Sequence, residues 1–165
     1  MYGTIIRGGN YLDMVEISGI SITSMLGNSP QIEISNVGDG FGLSRIHCSG
    51  ASDRTDYVIK VQNCTGGNID RVINGVIQIN SCKGLSLNNS HFEIGWIDIF
   101  SSSVSINDCY FWNTQQRDYL IKQNNSSGGH NSNVVYKNCV FSTKAKESIK
   151  GISGIHIHID GGIAT

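Results

Sequence analysis

Short runs of alternating aliphatic and polar residues cover most of the chain, and several of them end alike. "SVSINDCYFWN" at 103–113 and "NVVYKNCVFST" at 133–143 each set two apolar anchors before a polar residue and an Asn or Asp, then a Cys and, two places on, an aromatic. The full series reads Ile32-Ile34-Asn36-Val37, Ile59-Val61-Asn63-Cys64, Leu85-Leu87-Asn89-Ser90, Val104-Ile106-Asp108-Cys109 and Val134-Tyr136-Asn138-Cys139. Its second anchor returns after 27, 26, 19 and 30 residues. Between these rows a second series alternates in the same way: Ile77-Ile79, Ile97-Ile99, Tyr119-Ile121 and Ile155-Ile157-Ile159. Period-two alternation predicts strands with one buried face. A variable repeat of about 20 to 30 residues, carrying two or three such strands, predicts a parallel β-solenoid. The 3.6-residue stripe of an amphipathic helix is missing from every window of a dozen residues.

Winding coils on one another gives each motif position a physical task. Equivalent residues of successive coils lie about 4.8 Å apart in parallel ladders. Aliphatics then stack inward, and Asn amides at the bends bond their counterparts above and below. Cys fills a small apolar slot that Val37 and Ser90 take in other rows. Cys48, Cys64, Cys82, Cys109 and Cys139 are therefore expected to be free structural thiols. Their spacing contains no CxxC and no His/Cys cluster of the zinc type.

Composition narrows the function. Charged residues are 15% of the chain, with 20 Gly, a single Pro and Ile at 24 positions, a profile of strands and turns. A net charge of -1 without a basic block provides no footprint for nucleic acid. The longest apolar runs are about four residues, against about 20 for a membrane span, so membrane insertion is not expected. One domain over 1–165 is the expectation, and both ends break into strand pattern so abruptly that the chain reads as part of a longer one. "MYGTIIRGGN" lacks the build of a signal peptide.

The rows "VSINDCYF", "VYKNCVF" and "LSLNNSHF", with their Asn ladders and with insertions such as "KQNNSSGGHNSN" confined to turns, resemble the single-stranded right-handed parallel β-helix of the pectate-lyase-like superfamily. The Gly/Ser/Asn-rich, Pro-poor character is similar to bacteriophage tailspikes and related polysaccharide depolymerases. That resemblance implies an all-β right-handed solenoid of about five to seven coils. It implies a bacterial capsule or lipopolysaccharide as partner, a homotrimer in the full-length protein, and a place on a virion tail or another extracellular surface. It carries no catalytic residues over, because neither the calcium-site motif of pectate lyases nor the Asp-Asp motif of polygalacturonases can be placed on these residues.

Candidate chemistry has to sit on outward faces and turns, since the inside of such a coil is packed. In "HFEIGWIDIF" at 91–100, Phe92, Ile94, Ile97 and Ile99 are expected inward, with the phase reset at Gly95. His91, Glu93, Trp96, Asp98 and Phe100 then form one exposed patch. Aromatic side chains stack on the C–H faces of sugar rings while carboxylates hold hydroxyls, so the patch is a candidate saccharide groove. Trp112, Arg117 and Tyr119 are expected to join it from the next coil, and Gln78 from the one before. Glu93, Asp98 and Asp118 are the carboxyls expected to converge as an acid–base pair of a glycosidase or lyase, with Glu93 or Asp118 as acid and Asp98 as base. Solvated surface acids, and aromatics covered by a loop or a sister chain, are the competing readings. "GIHIHIDGG" puts His156, His158 and Asp160 on one strand face, but without a third close ligand no metal and no cofactor is assigned. Three functions stay open: depolymerase, non-cleaving glycan-binding module, and structural or adhesin segment packed against sister chains.

Overall fold

The computed structural model describes residues 4–5, 14–22, 30–48, 57–113, 118–124, 132–143, 147–151 and 155–164. All regular structure among them is strand. The chain begins with β1 (Thr4–Ile5), β2 (Val15–Ser18), β3 (Ser21–Ile22), β4 (Ile32–Ser35) and β5 (Phe41–Cys48). It continues through β6 (Ile59–Gln62), β7 (Asn68–Ile73), β8 (Val76–Asn80), β9 (Leu85–Asn88) and β10 (His91–Phe92). Next come β11 (Trp96–Phe100), β12 (Ser103–Asn107), β13 (Tyr110–Asn113), β14 (Tyr119–Asn124) and β15 (Ser132–Lys137). The last are β16 (Val140–Thr143), β17 (Glu147–Gly151), β18 (Ile155–Asp160) and β19 (Ile163–Ala164).

Every pairing is parallel, and the chain passes back and forth between two sheets. A seven-stranded sheet runs β1-β4-β6-β8-β11-β14-β17, and a twelve-stranded sheet takes the remaining strands. This all-β, parallel arrangement fits a β-solenoid. In the seven-stranded sheet the partners Ile34, Val61, Ile79, Ile99, Gln123 and Gly151 fall 27, 18, 20, 24 and 28 residues apart. In the other, Leu43, Ile69, Leu87, Ile106, Tyr136 and Ile159 fall 26, 18, 19, 30 and 23 apart.

The inward rows are near-homogeneous ladders. Ile32, Ile59, Ile77, Ile97, Ile121 and Ile149 stack in register as one isoleucine row. Phe92, Phe111 and Phe141 stack ring on ring at 5.0 and 5.1 Å, nearly coplanar at 7° and 6°, offset contacts that add to their area burial. A Cβ at Gly67 would enter the ring of Phe41, so Gly is what lets that ring lie across the row.

Two of the bends in each coil explain the motif and correct its reading. Asn36, Asn63, Ser81 and Ser101 form one line of positive-φ residues after the strands of the seven-stranded sheet. Gly19, Arg45, Arg71, Asn89, Asp108, Asn138 and Gly161 form another within the twelve-stranded sheet, where β5 and β7 run straight through. Asn and Asp tolerate this left-handed geometry better than other residues with a Cβ. The five motif copies therefore do not belong to one row: Val37 and Cys64 sit at the first bend, Ser90, Cys109 and Cys139 at the second. Likewise Ile77-Ile79 and Ile97-Ile99 continue the row of Ile59-Val61, whereas Ile157 and Ile159 continue that of Val134 and Tyr136. The Asn bonds form at both bends, Asn63 Nδ2 donating to Asn36 Oδ1 at 3.3 Å and Asn138 Nδ2 to Asp108 Oδ1 at 3.2 Å. All five cysteines are free and buried.

Candidate functional site

The patch expected from 91–100 divides between the two sheets. Asp98 lies on the outer side of β11, beside Gln78 of β8 and Lys122 of β14. Its row reads Glu33, Lys60, Gln78, Asp98, Lys122 and Lys150 across the seven-stranded sheet. Strand alternation makes this the polar counterpart of the isoleucine row one residue away.

Asp98 is nevertheless 4% exposed. The Tyr57 hydroxyl donates to its Oδ2 at 2.6 Å, and the Tyr119 hydroxyl reaches the same oxygen at 3.5 Å. Among the described residues Oδ1 is buried without a hydrogen-bond partner. Loss of water around the carboxyl raises its pKa; the Tyr57 bond, the Lys122 ammonium and the Tyr119 bond pull it back. Tyr57 is pushed up as well, first by burial and then by its bond to Asp98. Lys122 holds its ammonium 5.6 Å from the centre of the Tyr119 ring, within cation–π range.

Trp96 requires a correction. It is 5% exposed and belongs to the core, not to an outward patch. The reason lies at the strand start, where two successive side chains are buried in each of four coils: Val58-Ile59, Val76-Ile77, Trp96-Ile97 and Leu120-Ile121. The chain enters these strands from a bend, so alternation begins one residue later than a simple period of two assumes. The doublets were visible in the sequence as a recurring pair of large apolar residues.

Trp112 requires another. It is 43% exposed, but β13 belongs to the twelve-stranded sheet, so Trp112 does not share a face with Asp98. Its neighbours there are Tyr110, 37% exposed and two residues before it on the same strand face, and Ser142 of β16. The His91 ring meets the Tyr110 ring edge-on at 5.0 Å. Glu93 follows β10 in the turn toward β11, half-buried, its amide donating to Asn74 Oδ1 at 2.7 Å.

Among the described residues the groups acting on the Asp98 carboxyl are Tyr57, Lys122 and Tyr119, with neither Glu93 nor Asp118 among them. The sequence-predicted set thus separates into Gln78, Asp98 and Tyr119 on one sheet and Glu93 and Trp112 by the other. Asp118 is exposed just before β14, and Arg117 lies outside the described residues. Sequence reasoning missed Tyr57, Lys60, Lys122 and Tyr110. Only Tyr110 had a readable signal: with Phe111 inward, "YFW" puts both flanking rings outside. No three His, Cys, Asp or Glu side chains gather among the described residues as a metal site would require. His158 and Asp160 stand exposed beside Val135 and Lys137. The chain matches no protein-family model, no curated protein and no solved structure at a significant level.

Proposed function

We propose that the chain is a stretch of right-handed parallel β-helix, of about five to seven coils, that recognises a bacterial surface polysaccharide in the manner of a phage tailspike. The observation that carries this reading is the pair of exposed rings, Tyr110 and Trp112, on one face of β13. Rings two residues apart on a strand stand about 6.6 Å apart, a spacing suited to successive contacts along a saccharide. His91 buttresses Tyr110, and Glu93 closes the neighbouring coil. Buried Trp96 cannot take part. Binding is the activity these exposed rings support.

The test is a calorimetric titration of parent and variants with oligosaccharides released from bacterial capsule or lipopolysaccharide. In the parent, with Trp96 in the core, a ligand-dependent change in tryptophan fluorescence also reports on Trp112. Trp112→Ala and Tyr110→Ala should each weaken binding by about tenfold. Binding unchanged by either variant sinks the reading.

A second reading has its own support. Ile73, His91, Tyr110, Val140 and Ile163 form one outward row in register, with Ile73, Tyr110 and Ile163 exposed. Aliphatics in that row suit a sister chain, as in a homotrimer, better than a sugar. Light scattering separates the two: a monomer with Trp112 open to a quencher removes the second.

A further inference from the structure

The exposed rings of β13 stand beside a carboxylate and face no cation on their own strands. Phe92 of β10 pairs in register with Phe111 of β13, so the residue after it, Glu93, lies one coil below Trp112. Phe92 is buried and Ile94 packs on the core, which turns the half-buried Glu93 outward, to the side that Trp112 occupies. Asn74 Oδ1 fixes the backbone here, accepting from the Glu93 amide at 2.7 Å and from the Ile94 amide at 3.3 Å. The two backbones are about one strand spacing, 4.8 Å, apart. β10, β13, β16 and β19 contain neither Lys nor Arg. His91 sets its ring edge-on to Tyr110. Asp108, exposed at the bend before Tyr110, adds a second negative charge, and Lys137 ends β15 on the far side of that bend.

We infer that Glu93 sets the class of glycan this surface takes: its carboxylate accepts from hydroxyls of the sugar stacked on Trp112, and it turns away sugars that carry a carboxylate or a phosphate. The inference rests on the glycan-binding reading of Tyr110 and Trp112 and narrows it to neutral polysaccharides. Two hydroxyls on adjacent ring carbons can both donate to one carboxylate, because its oxygens only accept. Such charge-assisted bonds are stronger than bonds between neutral groups. An acidic sugar in the same place brings like charges together, and that repulsion is the element that discriminates.

The experiment titrates the full chain by calorimetry at pH 8, where an ordinary histidine is neutral. The probes are oligosaccharides released from bacterial capsule or lipopolysaccharide, sorted into neutral ones and acidic ones that bear uronate or phosphate. The parent should bind neutral probes more tightly than acidic ones. Glu93→Gln keeps the side chain's shape and the Asn74 bond, which uses the main chain. It should weaken neutral binding by about threefold to tenfold and strengthen acidic binding by a similar factor. Added salt should strengthen acidic binding to the parent by screening the repulsion. The inference falls, and the glycan-binding reading stands, if Trp112→Ala weakens binding but acidic probes bind the parent as tightly as neutral ones, or if Glu93→Gln leaves the preference unchanged. If no probe binds, or if Trp112→Ala and Tyr110→Ala leave binding unchanged, the glycan-binding reading itself fails and takes the inference with it.

Discussion

Tyr57 donates a 2.6 Å hydrogen bond to Asp98 although 41 residues separate them, because only β8 stands between their strands. The bond ties the covering side chain to a carboxyl whose pKa burial raises. The sign of the pH effect follows. A carboxyl with a folded pKa above its unfolded value favours the protonated folded chain. Its stabilising contribution is complete below the unfolded pKa, roughly 3.9, and is lost as pH rises through the folded pKa. Asp98→Asn cannot titrate, so its melting temperature should gain on the parent's between about pH 3 and about pH 7. Thermal unfolding at both pH values checks this, and a constant gap between the two proteins refutes it.

Tyr57→Phe isolates the hydrogen bond from the covering ring. It leaves Oδ2 with the longer Tyr119 contact alone, and should cost about 1–3 kcal/mol at neutral pH. The lost donor should also move the Asp98 carboxyl further up. Urea denaturation measures the first effect and a carbon-13 titration of the carboxyl the second. A downward move would show that the Tyr57 bond does not favour the charged form.

Gly95→Ala tests how closely the bends before the seven-stranded sheet stack. A Cβ on Gly95 would collide with the carbonyl oxygen of Gly75 in the coil below. Backbone cannot swing aside as a side chain can, so the change should cost about 2 kcal/mol or more. Fluorescence of Trp96, the next residue, should shift at the same time. An unchanged urea midpoint would mean that the coils separate there at little cost.

Phe111→Ala removes the middle ring of three. Phe111 is fully buried between Phe92 and Phe141, and neighbours fixed by ladder hydrogen bonds collapse poorly into the space left. The expected loss is about 3–5 kcal/mol. Phe111→Leu should recover part of it by refilling volume without the ring contacts. A loss below about 1 kcal/mol would show that the stack relaxes.

How much of this was legible depends on whether a feature is local. The isoleucine row could be read because each member alternates with polar neighbours within its own strand. Gln78 beside Asp98 followed from the same alternation. The two bends looked like one motif because several coils use an Asn or Asp at positive φ in both, Asn36 and Asn63 at the first and Asn89, Asp108 and Asn138 at the second, with a small inward residue after it. Trp96 was misplaced because a bend, and not the strand, sets its direction. Tyr57 and Lys122 had no local mark at all. They meet Asp98 through registers 18 to 24 residues long, set by loops of unequal length.

The thiols offer a test in which two effects oppose each other. Cys64 and Cys82 occupy consecutive coils at the first bend, Cys109 and Cys139 at the second. Each thiol donates to the carbonyl two residues before it: Cys64 to Gln62 at 3.3 Å, Cys82 to Asn80 at 3.3 Å, Cys109 to Asn107 at 3.2 Å and Cys139 to Lys137 at 3.4 Å. The paired thiol, then burial, raises Cys82 and Cys109, while the same neighbour holds Cys64 and Cys139 down at about 7. Proton loss alone would make Cys64 and Cys139 reactive at neutral pH. Access opposes this, since all five thiols are buried, and a reagent must wait for the coils to open. Opening exposes both members of a pair together, and once apart each returns toward its ordinary pKa. Access should therefore win: a disulfide reagent such as dithionitrobenzoate should react slowly with the native protein, and all five thiols should react at once in denaturant. Within each pair the two native rates should match within about threefold, because one opening step governs both. Rapid modification of Cys64 and Cys139, with Cys82 and Cys109 spared, would show that these two thiolates are reached without opening.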